Sequence, residues 1–319
     1  MKKILCVLMS CLLFVMAGCS GHSKNLKFGA ADIGGVYYSI ANTFTQLADK
    51  EIDGYTFETK TTAGSVANLR LISDGYIDLA IVQADLLSDA YNATGTFTDK
   101  KYQKGYKAVA SLYTECCQIV VRKDSGITGI DDLINKTVSV GASESGSEKN
   151  AEQILKMSGI TDELINKVNM DYTEAAEKLK AGEIDAFFCT AGTRTEVIGQ
   201  LSKECDICLI SLDDKCIDKM LSAYSLCEKY TIPAGTYNGQ DSDVTTIGVK
   251  AVLIAKQSLS DDVIKNVTKT IYEHADDFKY ATSLDISFDI NTAADGVDIP
   301  FHSGAAAYYT ERGINVLTE

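Results

Sequence analysis

The sequence predicts an α/β protein of two lobes around a central ligand cleft, each lobe a parallel-rich sheet with helices on both faces. Three observations predict it. Strand-like and helix-like segments alternate along most of the chain, as right-handed crossovers between parallel strands require. One segment echoes another: Ile72-x-x-Gly75-x-Ile77-Asp78-Leu79-Ala80 corresponds position by position to Leu179-x-x-Gly182-x-Ile184-Asp185-Ala186-Phe187. The 319 residues amount to about two ordinary domains, and 45% hydrophobic with 23% charged residues is a globular composition.

The elements follow in order. Met1-Lys2-Lys3 precedes an apolar stretch from Ile4 to Val15, a cationic head and a core too short for a stable span, so residues 1–18 are expected to be a secretory signal. Met16-Ala17-Gly18-Cys19 resembles a bacterial lipobox, which makes Cys19 the expected lipidated residue and 19–25 a tether; an ordinary cleaved signal is the alternative. Loss of the signal leaves 28 basic against 44 acidic residues, net −16. Leu26–Ala30 reads as a strand, and a helix then carries Tyr38, Ile40, Ala41, Phe44 and Leu47 at three- and four-residue spacing. Thr56–Thr61 is a second strand. Gly64-Ser65 opens a helix burying Val66, Leu69 and Ile72, and Ile77–Val82 is apolar enough for a strand covered on both faces.

A second set comprises strands at Gln118–Val121, Thr137–Val140, Val168–Tyr172, Ala186–Cys189 and Ile207–Leu212, with helices after Ser147, Thr173, Thr195 and Asp213. Thr245–Ala255 returns as a strand, one helix runs from Ser260 to Phe278, and another lies around Ala305–Tyr309. The expected lobes are therefore 26–112 plus 246–319 and 113–245, with crossings near Leu112–Cys117 and Asp243–Ile247.

Composition narrows function. A formal charge of −14 excludes a nucleic-acid binder, which needs a cationic face. The three histidines, His22, His274 and His302, leave little for a metal cluster or a triad, and only His302 stands in a suggestive place. G-x-S-x-G, H-E-x-x-H, Walker and G-x-G-x-x-G motifs are all missing, so no enzyme, cofactor or metal is expected. The seven cysteines of the body read as packing residues, with a disulfide or a Cys205-x-x-Cys208 zinc half-site as alternatives.

In open parallel sheets a ligand sits beyond the carboxyl ends of the strands. The loops there are Gly34-Gly35-x-Tyr37-Tyr38, Ala63–Asn68, Gln83-Ala84-Asp85, Ser143–Ser147 and Thr190–Arg194. Gly64-Ser65 and Gly146-Ser147 each place a hydroxyl and free backbone N–H groups at a helix start, which favours a carboxylate; plain helix capping is the alternative for each serine.

Gly34–Tyr38, Gly64–Leu69, Ile81–Asp85, Tyr113-Thr114-Glu115, Val140–Ser147 and Ile299–Ala305 with Tyr308-Tyr309 resemble, in order, the signatures of the TAXI branch of TRAP transporter solute receptors. The resemblance implies a type II periplasmic-binding-protein fold and an extracytoplasmic monomeric receptor, lipid-anchored to the membrane. Such a receptor captures a small organic acid or acidic amino acid (glutamate, glutamine, 2-oxoglutarate) by clamshell closure and delivers it to an ion-gradient-driven TRAP permease. It further implies that Gly35, Tyr38, Ser65, Asn68 and Gln83 contact ligand from the first lobe and Gly192 from the second. Ser145, Gly146 and Ser147 would hold a carboxylate, and Glu115 an amino or hydroxyl group. Ser39, Ala84, Ser143-Glu144, Ser303 and Arg194 depart from the family pattern. Arg194 is expected to add a second anionic contact, or else to be a solvated arginine. A ligand sensor, a surface antigen and a small-carboxylate dehydratase with Glu115 as general acid are the competing readings.

Overall fold

A computed structural model describes residues 23–98, 104–282 and 288–319. The expected signal (1–18) and Cys19 lie outside the described residues. Lys24 and Asn25, expected in the tether, already belong to the first strand, β1 (Lys24–Gly29).

The first parallel unit is β1, α1 (Val36–Glu51), β2 (Tyr55–Lys60), α2 (Ser65–Ser73) and β3 (Leu79–Gln83), followed without a loop by α3 (Ala84–Asn92). The second is β5 (Thr137–Ser139), α4 (Gly146–Ser158), β6 (Asn166–Val168), α5 (Tyr172–Ala181) and β7 (Ala186–Ala191), once the long strand β4 (Tyr106–Arg122) has intervened. Then come α6 (Glu196–Glu204), β8 (Ile207–Leu209), α7 (Asp214–Ala223), β9 (Cys227–Ile232) and β10 (Val244–Lys256). The chain closes with α8 (Asp261–Glu273), α9 (Ala275–Thr282) and α10 (Ser303–Thr310).

Two three-stranded parallel units, β2-β1-β3 and β6-β5-β7, are joined edge to edge by β10 and β4 in the order β2-β1-β3-β10-β4-β7-β5-β6. β10 runs antiparallel to β3, and β4 antiparallel to β7. Each unit is thus completed by one long strand that continues into the other. β4 pairs with β10 from Tyr106 to Cys116 and then with β7 from Cys116 to Val121. β10 pairs with β9 from Val244 to Val249 and with β3 from Ala251 to Ala255, with a register irregularity at Ala251/Val252. The connection between halves near Leu112–Cys117 is therefore hydrogen-bonded strand.

The internal echo has a physical basis. Gly75 and Gly182 both end their helices with positive φ, 83° and 74°. Asp78 then accepts the Lys27 N–H (2.9 Å) through its carboxylate and donates its own N–H to the Lys27 carbonyl; Asp185 makes the same pair of bonds with Thr137 (2.8 Å for the carboxylate). In each half one aspartate fixes the third strand to the first.

Some elements differ from expectation. His274 breaks the expected helix 260–278 into α8 and α9, its imidazole held between Glu51 and Asp277. α3 and β9 were not anticipated; α3 follows β3 directly, without a turn signal between them. His302 is the N-cap of α10: its Nδ1 accepts the Gly304 N–H, and it is buried away from the cavity described below. All seven body thiols are free, five of them buried and two partly so. Among the described residues no group of three or more His, Cys, Asp or Glu is placed to hold a metal ion, and no helix is long and apolar enough to cross a membrane.

Candidate functional site

The carboxyl ends of β1, β2 and β3 face those of β5 and β7 across a cavity of about 270 Å³. From the first half its wall takes Asp32, Gly35, Tyr37, Gly64, Ser65 and Gln83; from the second, Ser145, Gly146, Ser147, Tyr172 and Thr190; and from β4, Glu115. The two sides touch. Gly64 has φ 123°, and a Cβ there would lie 3.4 Å from Ser145 Cα, so the loops meet as closely as backbone allows. Ala67 N–H donates to the Glu144 carbonyl (3.1 Å), and Arg70 grips the Glu144 carboxylate through Nε (3.2 Å) and Nη2 (2.6 Å).

Two helices aim their N-termini at this space. α4 is capped by Ser145, whose hydroxyl accepts the Glu148 N–H, while the first-turn N–H groups of Gly146 and Ser147 have no partner within the helix. Ser147 was expected to cap; its hydroxyl instead accepts the Thr190 N–H (2.8 Å) and bonds the Tyr172 hydroxyl (2.5 Å), locking α4 to the end of β7. α2 is capped by Gly64 without a side-chain bond, and the Ser65 hydroxyl accepts the Gln83 N–H, tying α2 to β3.

The floor is a chain of fixed polarity. Asn150 Nδ2 donates to Gln153 Oε1, Gln83 Nε2 donates to both Asn150 Oδ1 (3.0 Å) and Glu115 Oε2 (3.1 Å), and the Tyr113 hydroxyl donates to Glu115 Oε1 (3.0 Å). Glu115 lies opposite Val249 where the two long strands cross. Burial, only partly offset by the hydrogen bonds from Gln83 and Tyr113, pushes its carboxyl up to about 8. Nearer the rim, Asp32 is raised by burial and by the charge of Asp171. Among the described residues of the wall none is lysine, arginine or histidine, so positive character comes from helix N-termini: those of α2 and α4, and that of α1, whose N-cap Gly35 and first residues Val36 and Tyr37 line the same wall.

Of the expected contacts, Gly35, Ser65, Gln83, Glu115, Ser145, Gly146 and Ser147 line the cavity, whereas Tyr38, Asn68, Gly192 and Arg194 do not. Tyr38 packs against the core, and Tyr37 takes the cavity position, its hydroxyl near Ser65 and Glu115 but without a normal hydrogen bond. Helical spacing identifies Tyr37 in hindsight, since 37, 40, 41, 44 and 48 form the buried face. Asn68 is consumed by structure: Nδ2 donates to the carbonyls of Ala30 (2.6 Å), Ile81 (2.9 Å) and Gly29 (3.4 Å), and Oδ1 accepts from Thr62. Asn68→Ala is therefore expected to cost about 2–4 kcal/mol of folding stability in a urea titration, with affinity per folded molecule unchanged. The Gly192 carbonyl accepts from Thr195 and Gln118, and Arg194 is exposed on a turn with φ 64°. The second anionic contact expected of Arg194 is not part of this wall. Asp32, Tyr172 and Thr190 were missed as individual site residues, because nothing local to them signals a cavity.

The model of the NMT1-like family matches residues 28–313. Among solved structures, the chain is similar to periplasmic binding protein BugD (11% identity, 81% of this chain, 85% of the other, TM-score 0.55). PhnD1 from Prochlorococcus marinus, solved with methylphosphonate, gives 14% identity, 78% and 84% coverage and a TM-score of 0.55. An ancestral arginine-binding protein bound to arginine gives 15%, 82% and 99%, and 0.50. The fold is that of type II periplasmic binding proteins.

Proposed function

This chain belongs to the NMT1-like family, and from that premise we propose that it is an extracytoplasmic solute receptor that closes around a small carboxylate and delivers it to a membrane permease. The observation that carries this reading is the cavity itself. Two helix N-termini meet the cavity of about 270 Å³ from opposite halves, and Gln83, Thr190 and Tyr37, all buried in its wall, present polar atoms with no protein partner. The paired strands β4 and β10 are the hinge about which 26–112 plus 246–319 would close on 113–245. A monomer tethered through a lipid on Cys19, working with a TRAP-type permease, follows from the resemblance of the sequence motifs.

A thermal-shift screen of the purified protein tests it, with 2-amino (arginine included), 2-hydroxy and 2-oxo acids and C4–C6 dicarboxylates, and with methylphosphonate and neutral sugars as alternatives. A carboxylate at 100 times its Kd adds about 2.7 kcal/mol, several degrees for a body of this size. Shifts confined to methylphosphonate or to sugars would overturn the carboxylate reading, and turnover of a hit would replace receptor by enzyme.

A further inference from the structure

Resting on that reading, we propose that Gln83 sets the ligand class: its carboxamide oxygen is held toward the cavity as a pure acceptor, so the receptor takes 2-amino or 2-hydroxy carboxylates and rejects their 2-oxo analogues. The orientation follows from the neighbours. Gln83 Nε2 spends both hydrogens on Asn150 Oδ1 and Glu115 Oε2, and Asn150 is itself oriented by donating Nδ2 to Gln153. Turning the carboxamide over would face its oxygen to the acceptor oxygen of Asn150, whose own orientation is fixed by Gln153. Gln83 Oε1 is thus left without a partner, in a side chain only 1% exposed that lines the cavity. A buried acceptor of this kind calls for a donor on the ligand.

The position of that donor follows from Gly146. A Cβ built on Gly146 would lie 2.4 Å from Gln83 Cδ and Oε1, so the carboxamide rests directly against the first residue of α4. A carboxylate held by the N–H groups of that helix end has its neighbouring carbon beside Gln83. The donor therefore belongs at the 2-position. A carbonyl there would set oxygen against oxygen in a desolvated wall, which is the situation in which sites built for a donor reject the analogue lacking one most strongly. The acidic rim of Asp32 and Asp171 favours an ammonium over a second carboxylate.

The test uses matched triplets on the full-length protein by calorimetry: glutamate, 2-hydroxyglutarate and 2-oxoglutarate; alanine, lactate and pyruvate. In the triplet that binds, the amino or hydroxy member is expected to bind at least about 100-fold more tightly than the oxo member. Gln83→Met, checked by its melting curve to be folded, is expected to narrow that ratio to within about tenfold, mostly by weakening the donor-bearing member. Equal or tighter binding of the oxo acid to the wild type, or an unchanged ratio in a folded Gln83→Met, overturns the assignment and leaves the receptor reading standing. Binding of neither triplet, with a hit among phosphonates or sugars, overturns the carboxylate reading and this inference with it.

Discussion

Glu115→Gln is expected to stabilise the protein, and to do so increasingly as pH rises. In the folded chain the Glu115 carboxyl holds its proton up to about 8, against 4.5 for an unperturbed glutamate. Between those values the native state binds more protons than the unfolded state, so stability falls with rising pH. Below about 4.5 both states are protonated and the burial penalty vanishes; above about 8 it is fully present. At 1.36 kcal/mol per unit the shift corresponds to an upper bound of about 5 kcal/mol, of which relaxation around the buried group leaves a few. A carboxamide cannot ionise, yet it still accepts from Gln83 and can donate to the Tyr113 hydroxyl. Urea titrations at pH 5 and 8.5 should show near-equal stability at the first and a variant more stable by a few kcal/mol at the second. Asp85, which desolvation raises from 3.8 to about 6, keeps its own dependence of the same sign in both proteins. Parallel pH profiles for wild type and variant would mean that Glu115 is not desolvated as described.

Gly146→Ala is expected to separate closure from folding. The new methyl would lie 2.4–2.6 Å from all three terminal atoms of the Gln83 carboxamide. That carboxamide is pinned by two hydrogen bonds, to Asn150 and Glu115, so yielding costs about 1–3 kcal/mol, roughly 5- to 150-fold in affinity. An alternative is to hold the halves apart, which loses the ligand contacts of one side. In an open, ligand-free form the clash is relieved and alanine suits the first helical turn better than glycine, so the melting temperature without ligand should hold or rise while affinity falls about 5- to 150-fold. A variant binding as tightly as wild type would show that Gln83 leaves Gly146 in the liganded state.

Particular residues show where reading the chain succeeded and where it stopped. The Ile-Asp pairs at 77–78 and 184–185 were legible because each half needs an aspartate just before its third strand to bond the first strand. The glycine-rich loops of the site were legible because close backbone approach excludes side chains, as at Gly64 and Gly146. Asn68 follows one of those loops, in the first turn of α2, and still points away from the cavity, its amide satisfied by three carbonyls. Proximity along the chain identified the loop, but side-chain direction depends on neighbours from other strands. Arg194 is the same case in reverse: a charged residue in a cleft-side loop, turned outward by a left-handed backbone position.

By itself the sequence determined the α/β class, the doubling of the unit and the loops that form the cavity wall. Those properties rest on local periodicity, helix starts and turn residues, which act within a few positions. Only the tertiary structure decided that β4 and β10 carry the connection as continuous paired strands, that Tyr37 and not Tyr38 faces the cavity, and that the Gln83 oxygen is the unpartnered atom. Each of these depends on partners 30 or more residues away, such as Glu115 and Asn150 for Gln83. A hydrogen bond's direction is settled by what its neighbours have already donated or accepted, and that is known only once the chain is folded.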